Sequence, residues 1–165
     1  MRVLIACGGT GGHINPGLAI ADIIKSKYPD TEFLFAGTPK GMEAKLVPAA
    51  GYRFETIKVA GFQRRISLEN IGRNAKAVAY LITSGRRAKQ IIEGFKPDIA
   101  IGTGGYAAGP VIRKAARMGI PTAIHEQNAY PGVTNKLLSK EVDHVMLTVK
   151  EALNFMDGSK FEHTV

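Results

Sequence analysis

Apolar residues along this chain fall into short uninterrupted runs that alternate with longer segments of helical spacing. A run such as VLIA near the N-terminus has no polar residue at every second position, which is typical of a strand buried on both faces. Such strands, separated by helices, predict an α/β domain with a doubly wound parallel sheet. The predicted strands are Val3–Cys7, Glu32–Ala36, Phe54–Val59, Ile99–Ile101, Thr122–Ile124 and His144–Leu147, with a further strand beginning at Phe161.

The segments between these strands predict helices that cover both faces of the sheet. They are Pro16–Lys27, Gly41–Ala50, Leu68–Gly94, Gly109–Met118, Gly132–Ser139 and Lys150–Met156. In doubly wound sheets, ligands bind beyond the carboxyl ends of the strands, near the point where the strand order reverses. The loops that follow the strands are therefore where a functional site is expected.

The composition is that of an ordinary globular protein of one domain, here residues 1–165, with 45% hydrophobic and 22% charged residues. Cys7 is the single cysteine, so no intramolecular disulfide forms and a reducing compartment is expected. The apolar run at the N-terminus is too short for a signal peptide, and no run approaches the roughly 18 residues that span a bilayer. Membrane contact would therefore be peripheral.

The first glycine loop, Gly8–Gly12, follows the first predicted strand and precedes a helix. Its glycines allow a sharp turn and the helix N-terminus attracts negative charge, so a diphosphate is the expected ligand. The loop does not have the G-x-G-x-x-G spacing, the second strand ends in AGT without an acidic residue for a ribose, and no Gly-Lys-Ser/Thr follows. NAD binding and a P-loop are therefore disfavoured. A turn used only for packing is the alternative.

His13 comes directly after this loop, at the mouth of the expected anion site. An imidazole exchanges protons near neutral pH, so it suits a general base, and it also suits a phosphate ligand. Hydrogen bonding at the helix N-terminus is the structural alternative.

The second glycine loop, Gly102–Gly109, follows the fourth predicted strand and has the sequence GTGGYAAG. Because it repeats the strand, glycine turn and helix of the first loop, we expect both loops to converge at one edge of the sheet and to hold a large polyanionic ligand. Tyr106 either hydrogen bonds the substrate or closes the pocket, and the sequence does not choose between these roles.

A third polar loop follows the fifth predicted strand and has the sequence HEQN, His125 to Asn128. Its four side chains carry donors and acceptors where the strand is expected to end at the same edge, which favours a site. The sequence has neither an Asp-x-Asp motif nor Cys/His pairs at zinc spacing. It therefore predicts no bound metal.

The net charge of +8 is concentrated between Arg64 and Lys96, where eight basic residues stand against two glutamates. Apolar residues at helical spacing accompany them, which favours contact with an anionic membrane surface, although a core helix with solvated charges is the alternative. The predicted membrane patch consists of Ile71, Arg73, Ala75, Lys76, Val78, Ala79, Ile82 and Arg86. Few aromatic residues and no base-stacking motif disfavour nucleic acid.

Four motifs together resemble one family: GGTGGHINPG from Gly8, MEAKLVP from Met42, GTGGYAAGP from Gly102 and HEQN from His125. Their order and spacing are similar to those of the MurG family, the undecaprenyl-diphospho-muramoylpentapeptide β-N-acetylglucosaminyltransferases. The resemblance covers essentially the whole chain and implies a Rossmann-like sheet that forms the N-terminal half of a GT-B glycosyltransferase. The uridine-binding C-terminal domain of that family is absent from this chain, so we expect the chain to be part of a longer protein and inactive alone.

The resemblance further implies an inverting transfer of N-acetylglucosamine from UDP-N-acetylglucosamine to lipid I, giving lipid II, without a metal or other cofactor. It implies peripheral attachment to the cytoplasmic side of the bacterial cell membrane. It places four residues beside the donor UDP-sugar, namely Thr10, Gly11, Gly12 and Asn128. It places the acceptor diphosphate against Gly9, His13, Gly104, Gly105 and Tyr106. His13 is the predicted catalytic base, with His125 and Glu126 in reserve.

Two other functions stay open at this stage. One is a GT-B glycosyltransferase with a different lipid or natural-product acceptor, which would share the glycine loops but need not share HEQN or the basic helix. The other is a noncatalytic membrane-docking module for cell-wall assembly, which would bind anionic vesicles without responding to a substrate.

Overall fold

The computed structural model describes residues 1–59, 83–156 and 161–163. Within these residues the chain forms one sheet of seven strands, in which every neighbouring pair is parallel. The strands are β1 (Arg2–Ala6), β2 (Glu32–Gly37), β3 (Arg53–Thr56), β4 (Ile99–Gly102), β5 (Thr122–Glu126), β6 (His144–Leu147) and β7 (Phe161–His163). Their order is β3-β2-β1-β4-β5-β6-β7, so the strand order reverses between β1 and β4. The predicted doubly wound sheet is confirmed, and so is the strand that begins at Phe161.

Helices follow the strands as the alternating pattern predicts. They are α1 (Gly11–Lys27), α2 (Glu43–Ala49), α3 (described over 83–95), α4 (Ala108–Arg117), α5 (Val133–Leu138) and a 3₁₀ helix (Lys150–Phe155). The helix predicted over Leu68–Gly94 is confirmed for the part from residue 83, and its earlier part lies outside the described residues.

The start of α1 differs from the prediction, which placed it at Pro16. The helix begins at Gly11, where the carbonyl of Thr10 accepts hydrogen bonds from the backbone N–H groups of His13, at 3.0 Å, and Ile14, at 3.2 Å. Pro16 therefore lies inside the helix, where it cannot donate a hydrogen bond to the carbonyl of Gly12. His13 consequently belongs to the first turn of α1 and not to a preceding loop.

Two other predicted elements differ in extent or type. The third strand ends at Thr56 instead of continuing to Val59. The last predicted helix is 3₁₀ and not α, since Ala152 N–H bonds to the carbonyl of Val149 and Met156 N–H to that of Leu153, three residues back in each case.

The core lies on both faces of the sheet, as the unbroken apolar runs predict. In β1, Leu4 and Ala6 pack into the cluster beneath α3 and α4, while Val3 and Ile5 pack with Cys7 into the cluster beneath α1 and α2. All five side chains are fully buried. Successive side chains of a strand point to opposite faces, so a strand without polar residues needs a cover on each side.

Candidate functional site

The two glycine loops touch each other where the strand order reverses, because β1 and β4 are neighbours and both loops leave the carboxyl end of their strand. Gly105 has φ +83°, and a Cβ atom on it would overlap the carbonyl oxygen of Gly8. Gly104 has φ +109°, and a Cβ there would lie 2.5 Å from Cδ2 of His13. Both positions require glycine, and the predicted convergence of the loops is confirmed.

The ring of His13 is held in one orientation by the first glycine loop. Its Nδ1 lies 3.1 Å from the carbonyl oxygen of Gly8 and 3.4 Å from Oγ1 of Thr10. A carbonyl oxygen only accepts hydrogen bonds, so Nδ1 is the nitrogen that carries the proton in the neutral ring. Nε2 is then an unprotonated acceptor. The hydroxyl of Thr103, from the second loop, donates a 2.6 Å hydrogen bond to the backbone carbonyl of His13 and fixes the turn.

A cavity of about 220 Å³ opens beside this histidine, between the second glycine loop, the end of β5 and the start of α5. It is lined by His13, Gly104, Gly105, Tyr106, Glu126, Gly132, Val133, Thr134 and Asn135. Tyr106 is 65% exposed, so its side chain lies at the rim. The structure thus brings five of the predicted site residues to one cavity, whereas the first-loop residues Gly9 to Gly12, His125 and Asn128 are not among its lining.

Glu126 is the last residue of β5 and is only 1% exposed. Its Oε1 accepts hydrogen bonds from the backbone N–H of Asn128, at 3.0 Å, and from the Asn128 side-chain amide, at 2.9 Å. Its Oε2 accepts from the N–H of Gly132, at 3.2 Å, and from Nδ2 of Asn135, at 3.0 Å. These four bonds offset the cost of burying a charge, and they hold the loop between β5 and α5 in place.

Asn135, to which the sequence assigned no role, completes this network from α5. Its Nδ2 donates both hydrogens, one to the carbonyl of His125 at 3.1 Å and one to Glu126. Both partners accept only, so the amide orientation is determined. Its Oδ1 is buried and has no hydrogen-bond partner among the described residues. No local pattern marks this residue, because its partners come from the neighbouring strand.

His125 lies in β5 and not in a loop, and its Nε2 is 3.1 Å from the hydroxyl of Thr148. Burial lowers the pKa of His125 below its ordinary value, against the opposing effect of the Glu126 charge. The ring is therefore neutral at pH 7. Its position outside the cavity lining places it behind His13 as a candidate base.

Glu43, a second residue without a predicted role, lies beneath the first glycine loop. Its Oε2 accepts a 3.1 Å hydrogen bond from the backbone N–H of Gly9. That N–H group is therefore directed at a protein carboxylate. The first N–H groups of a helix have no partner within it, so those at the start of α1 are the donors that this loop offers an anion.

The predicted membrane patch falls outside the described residues except for Arg86, which is exposed. No helix in the described part of the chain is long and apolar enough to cross a membrane. Among the same residues, no three potential metal-ligating side chains come together.

The strand order and the paired glycine loops at its reversal point define a Rossmann-like α/β domain of the type that forms the N-terminal half of GT-B glycosyltransferases. Residues 3–147 match the family model of the glycosyltransferase family 28 N-terminal domain, and the chain belongs to this family.

Two curated relatives and one solved structure agree with this assignment. The chain is 53% identical over 165 residues to a UDP-N-acetylglucosamine–N-acetylmuramyl-(pentapeptide) pyrophosphoryl-undecaprenol N-acetylglucosamine transferase of Acetivibrio thermocellus, covering 99% of the chain and 44% of the relative. It is 52% identical to the transferase of the same name from Ruminiclostridium cellulolyticum, covering 97% and 43%. It superimposes on Acinetobacter baumannii MurG with a TM-score of 0.79 and 28% identity, over 99% of the chain and 45% of that protein. The resemblance to the MurG family is confirmed, and the chain spans less than half the length of these relatives.

The contact between the two loops predicts a large cost for any side chain at Gly105. Gly105→Ala should lower the free energy of unfolding by at least about 2 kcal/mol, because the left-handed backbone and the Gly8 carbonyl both oppose a Cβ. Gly94→Ala is the matched control, since Gly94 is an exposed helical residue and a methyl group added there would have no neighbouring atom within 4 Å. It should raise stability by about 0.5–1 kcal/mol. Urea unfolding followed by circular dichroism measures the free energy of unfolding of both variants. Equal changes in the two variants would contradict the contact between the loops.

The four hydrogen bonds to Glu126 predict that its charge stabilises the fold. Glu126→Gln replaces one carboxylate oxygen by an NH₂ group that faces other donors. It should lower the free energy of unfolding, measured in urea, by about 2–4 kcal/mol. Glu141→Gln is the control, because Glu141 forms half-exposed ion pairs with Arg113 and Arg117 and should cost less than about 1 kcal/mol. A Glu126→Gln protein as stable as the wild type would refute the described network.

Proposed function

We propose that this chain, residues 1–165, is the acceptor-side N-terminal domain of an inverting glycosyltransferase. The whole protein would transfer N-acetylglucosamine from UDP-N-acetylglucosamine to undecaprenyl-diphospho-muramoyl-pentapeptide, lipid I, giving lipid II for peptidoglycan synthesis. The names of the relatives support this reaction. Because those relatives are more than twice as long as the chain, most of the UDP-N-acetylglucosamine site is assigned to the part of the protein beyond it.

The observation that carries the proposal is the orientation of His13 beside the cavity. In an inverting transfer, the acceptor hydroxyl attacks the anomeric carbon from the face opposite the departing UDP, and a base must take its proton. The hydrogen bond from Nδ1 to Gly8 leaves Nε2 as the acceptor, and the ring borders the cavity next to Gly104. Glu126 already accepts two hydrogen bonds on each oxygen, so it is the weaker candidate base.

The acceptor diphosphate is assigned to the two glycine loops, where the N-termini of α1 and α4 bring partial positive charge to one edge of the sheet. Gly104, Gly105 and Tyr106 border it, with Tyr106 at the rim, whereas the predicted contact with Gly9 is not proposed because its N–H already donates to Glu43. The donor sugar is assigned to Thr10, Gly11 and Gly12, together with Asn128, whose amide is held by Glu126. No metal or organic cofactor is required in this scheme, since the backbone N–H groups and the helix N-termini carry the electrostatic stabilisation.

The basic region supports attachment to the cytoplasmic side of the membrane, next to the lipid-linked acceptor. A net charge of +8 attracts an anionic surface, and no nucleic-acid partner is proposed. A noncatalytic docking module would bind the same vesicles, but it would not bind the acceptor in their absence. A GT-B enzyme with another acceptor would bind that other acceptor more tightly than the muramoyl-pentapeptide.

Removing the His13 imidazole should abolish most of the turnover of the full-length protein that contains this chain. His13→Ala is expected to lower kcat by about 100-fold or more, the usual contribution of a general base. His144→Ala is the control, because His144 begins β6 at the opposite, amino-terminal edge of the sheet and should leave kcat within about twofold. Radiolabelled sugar transfer to a soluble lipid I analogue measures both. A loss below about tenfold for His13→Ala rules out His13 as the base.

Binding to the chain itself tests the acceptor assignment directly. Calorimetric titration of the chain with a short-lipid diphospho-muramoyl-pentapeptide should show a heat of binding. Titration with UDP-N-acetylglucosamine or NAD should show little or no heat of binding. The Gly105→Ala variant should lose the acceptor signal, because its loops cannot meet. Binding of NAD in preference to the acceptor would overturn the proposed function.

A further inference from the structure

Glu43 is a fully buried carboxylate at the start of α2, outside the cavity described above. Its Oε1 accepts hydrogen bonds from the backbone N–H of Thr38, at 2.8 Å, and from the Thr38 hydroxyl, at 2.7 Å. Its Oε2 accepts the N–H of Gly9. One side chain thus ties the loop after β2 to the loop after β1.

The surrounding backbone is shaped to admit this side chain. A Cβ atom on Gly8 would lie 2.6 Å from Oε1 of Glu43, one on Gly37 would lie 2.5 Å from its Cγ, and one on Gly41 would overlap its carboxylate. Three glycines from three segments therefore leave the space that the carboxylate fills. The backbone around Glu43 therefore fixes the position of its carboxylate, in addition to burying the start of α2.

The carboxylate is ionised in the folded protein at neutral pH. Burial alone raises the pKa of Glu43, but hydrogen bonds from the Thr38 side chain and from the backbone N–H groups of Glu43, Thr38 and Gly9 outweigh it and lower the pKa below its ordinary value. Burial, with the Glu43 charge, raises the pKa of the neighbouring Cys7 to about 12. The thiol therefore keeps its proton, and Glu43 is the charged member of the pair.

The hydrogen bonds of Glu43 and of His13 meet on one peptide group. The N–H that Glu43 accepts belongs to Gly9, and the carbonyl that faces His13 Nδ1 belongs to Gly8, so both are part of the Gly8–Gly9 peptide. No peptide bond in the described residues is cis, and in a trans peptide the N–H and C=O point in opposite directions. The carboxylate and the imidazole therefore lie at the two ends of a single chain of hydrogen bonds.

We propose that Glu43 is a positioning residue for His13 and acts through the Gly8–Gly9 peptide. An anion bonded to the N–H polarises the peptide and strengthens its carbonyl as an acceptor. The carbonyl then holds the proton on Nδ1 of His13 and presents Nε2 to the cavity. The catalytic use of Nε2 rests on the proposed function, but the link between Glu43 and the His13 tautomer does not.

The tautomer of His13 provides the test, because nitrogen-15 NMR of the histidine-labelled chain identifies which ring nitrogen carries the proton. The wild-type chain at pH 8 should show His13 with its proton on Nδ1, the reverse of the preference of free histidine. In Glu43→Gln, the amide keeps its oxygen toward the two Thr38 donors and turns its NH₂ toward Gly9. The population with the proton on Nε2 should rise at least about twofold.

Thr38→Val is the matched control, because it removes one hydrogen bond from the same carboxylate but leaves the bond to Gly9. It should keep the wild-type tautomer ratio. Tyr52→Phe, which removes a part-buried hydrogen bond to Asp22 elsewhere on that face, should also keep the wild-type tautomer ratio. An unchanged tautomer in folded Glu43→Gln would overturn the proposal, as would an equal shift in Thr38→Val.

The wild-type spectrum can refute the link even if Glu43→Gln does not fold, since a His13 with its proton on Nε2 would contradict it. Because the readout is a tautomer and not sugar transfer, the outcome is independent of the test of the proposed function. If the His13 tautomer depends on Glu43 but the chain does not bind the acceptor, this inference stands and the proposed function is wrong.

Discussion

The site depends on the close contact between the first and second glycine loops at the point where the strand order reverses. The carbonyl of Gly8 occupies the place of a side chain on Gly105, and the ring of His13 occupies that of a side chain on Gly104. Neighbouring parallel strands bring the loops to the same edge, but only residues without a Cβ let the two backbones meet. The position of His13 relative to the cavity follows from this contact.

Two buried carboxylates then fix the loops that the sheet leaves irregular. Glu43 holds the loop after β1, and Glu126 holds the loop after β5. An isolated buried charge is costly, and each carboxylate is compensated by at least three hydrogen bonds, two of which come from backbone N–H groups. The two carboxylates thus accept hydrogen bonds from backbone N–H groups that have no partner in a helix or strand.

Local sequence patterns were sufficient for the sheet and for the meeting of the two glycine loops. The unbroken apolar run of β1 has the burial on both faces that it predicts, and the glycine loops follow the expected strands. The start of α1 was predicted incorrectly because Pro16 is a strong local signal for a helix start, whereas Thr10 and the glycines after it are weaker ones. The role of Glu43 depends on Gly9, which is 34 residues away, and no local pattern encodes such a contact.

The direction of the Gly8–Gly9 peptide bears on whether His13 is better suited to act as a general base or to bind a phosphate. The carbonyl of Gly8 points toward the imidazole, and the N–H of Gly9 points away from it, toward Glu43. An anion is repelled by a carbonyl oxygen and by a buried carboxylate, so this part of the loop is a poor place for a phosphate. The start of α1, after Thr10, and the start of α4 offer N–H groups without that repulsion. We therefore propose that anion binding falls to the helix N-termini and proton acceptance to Nε2 of His13.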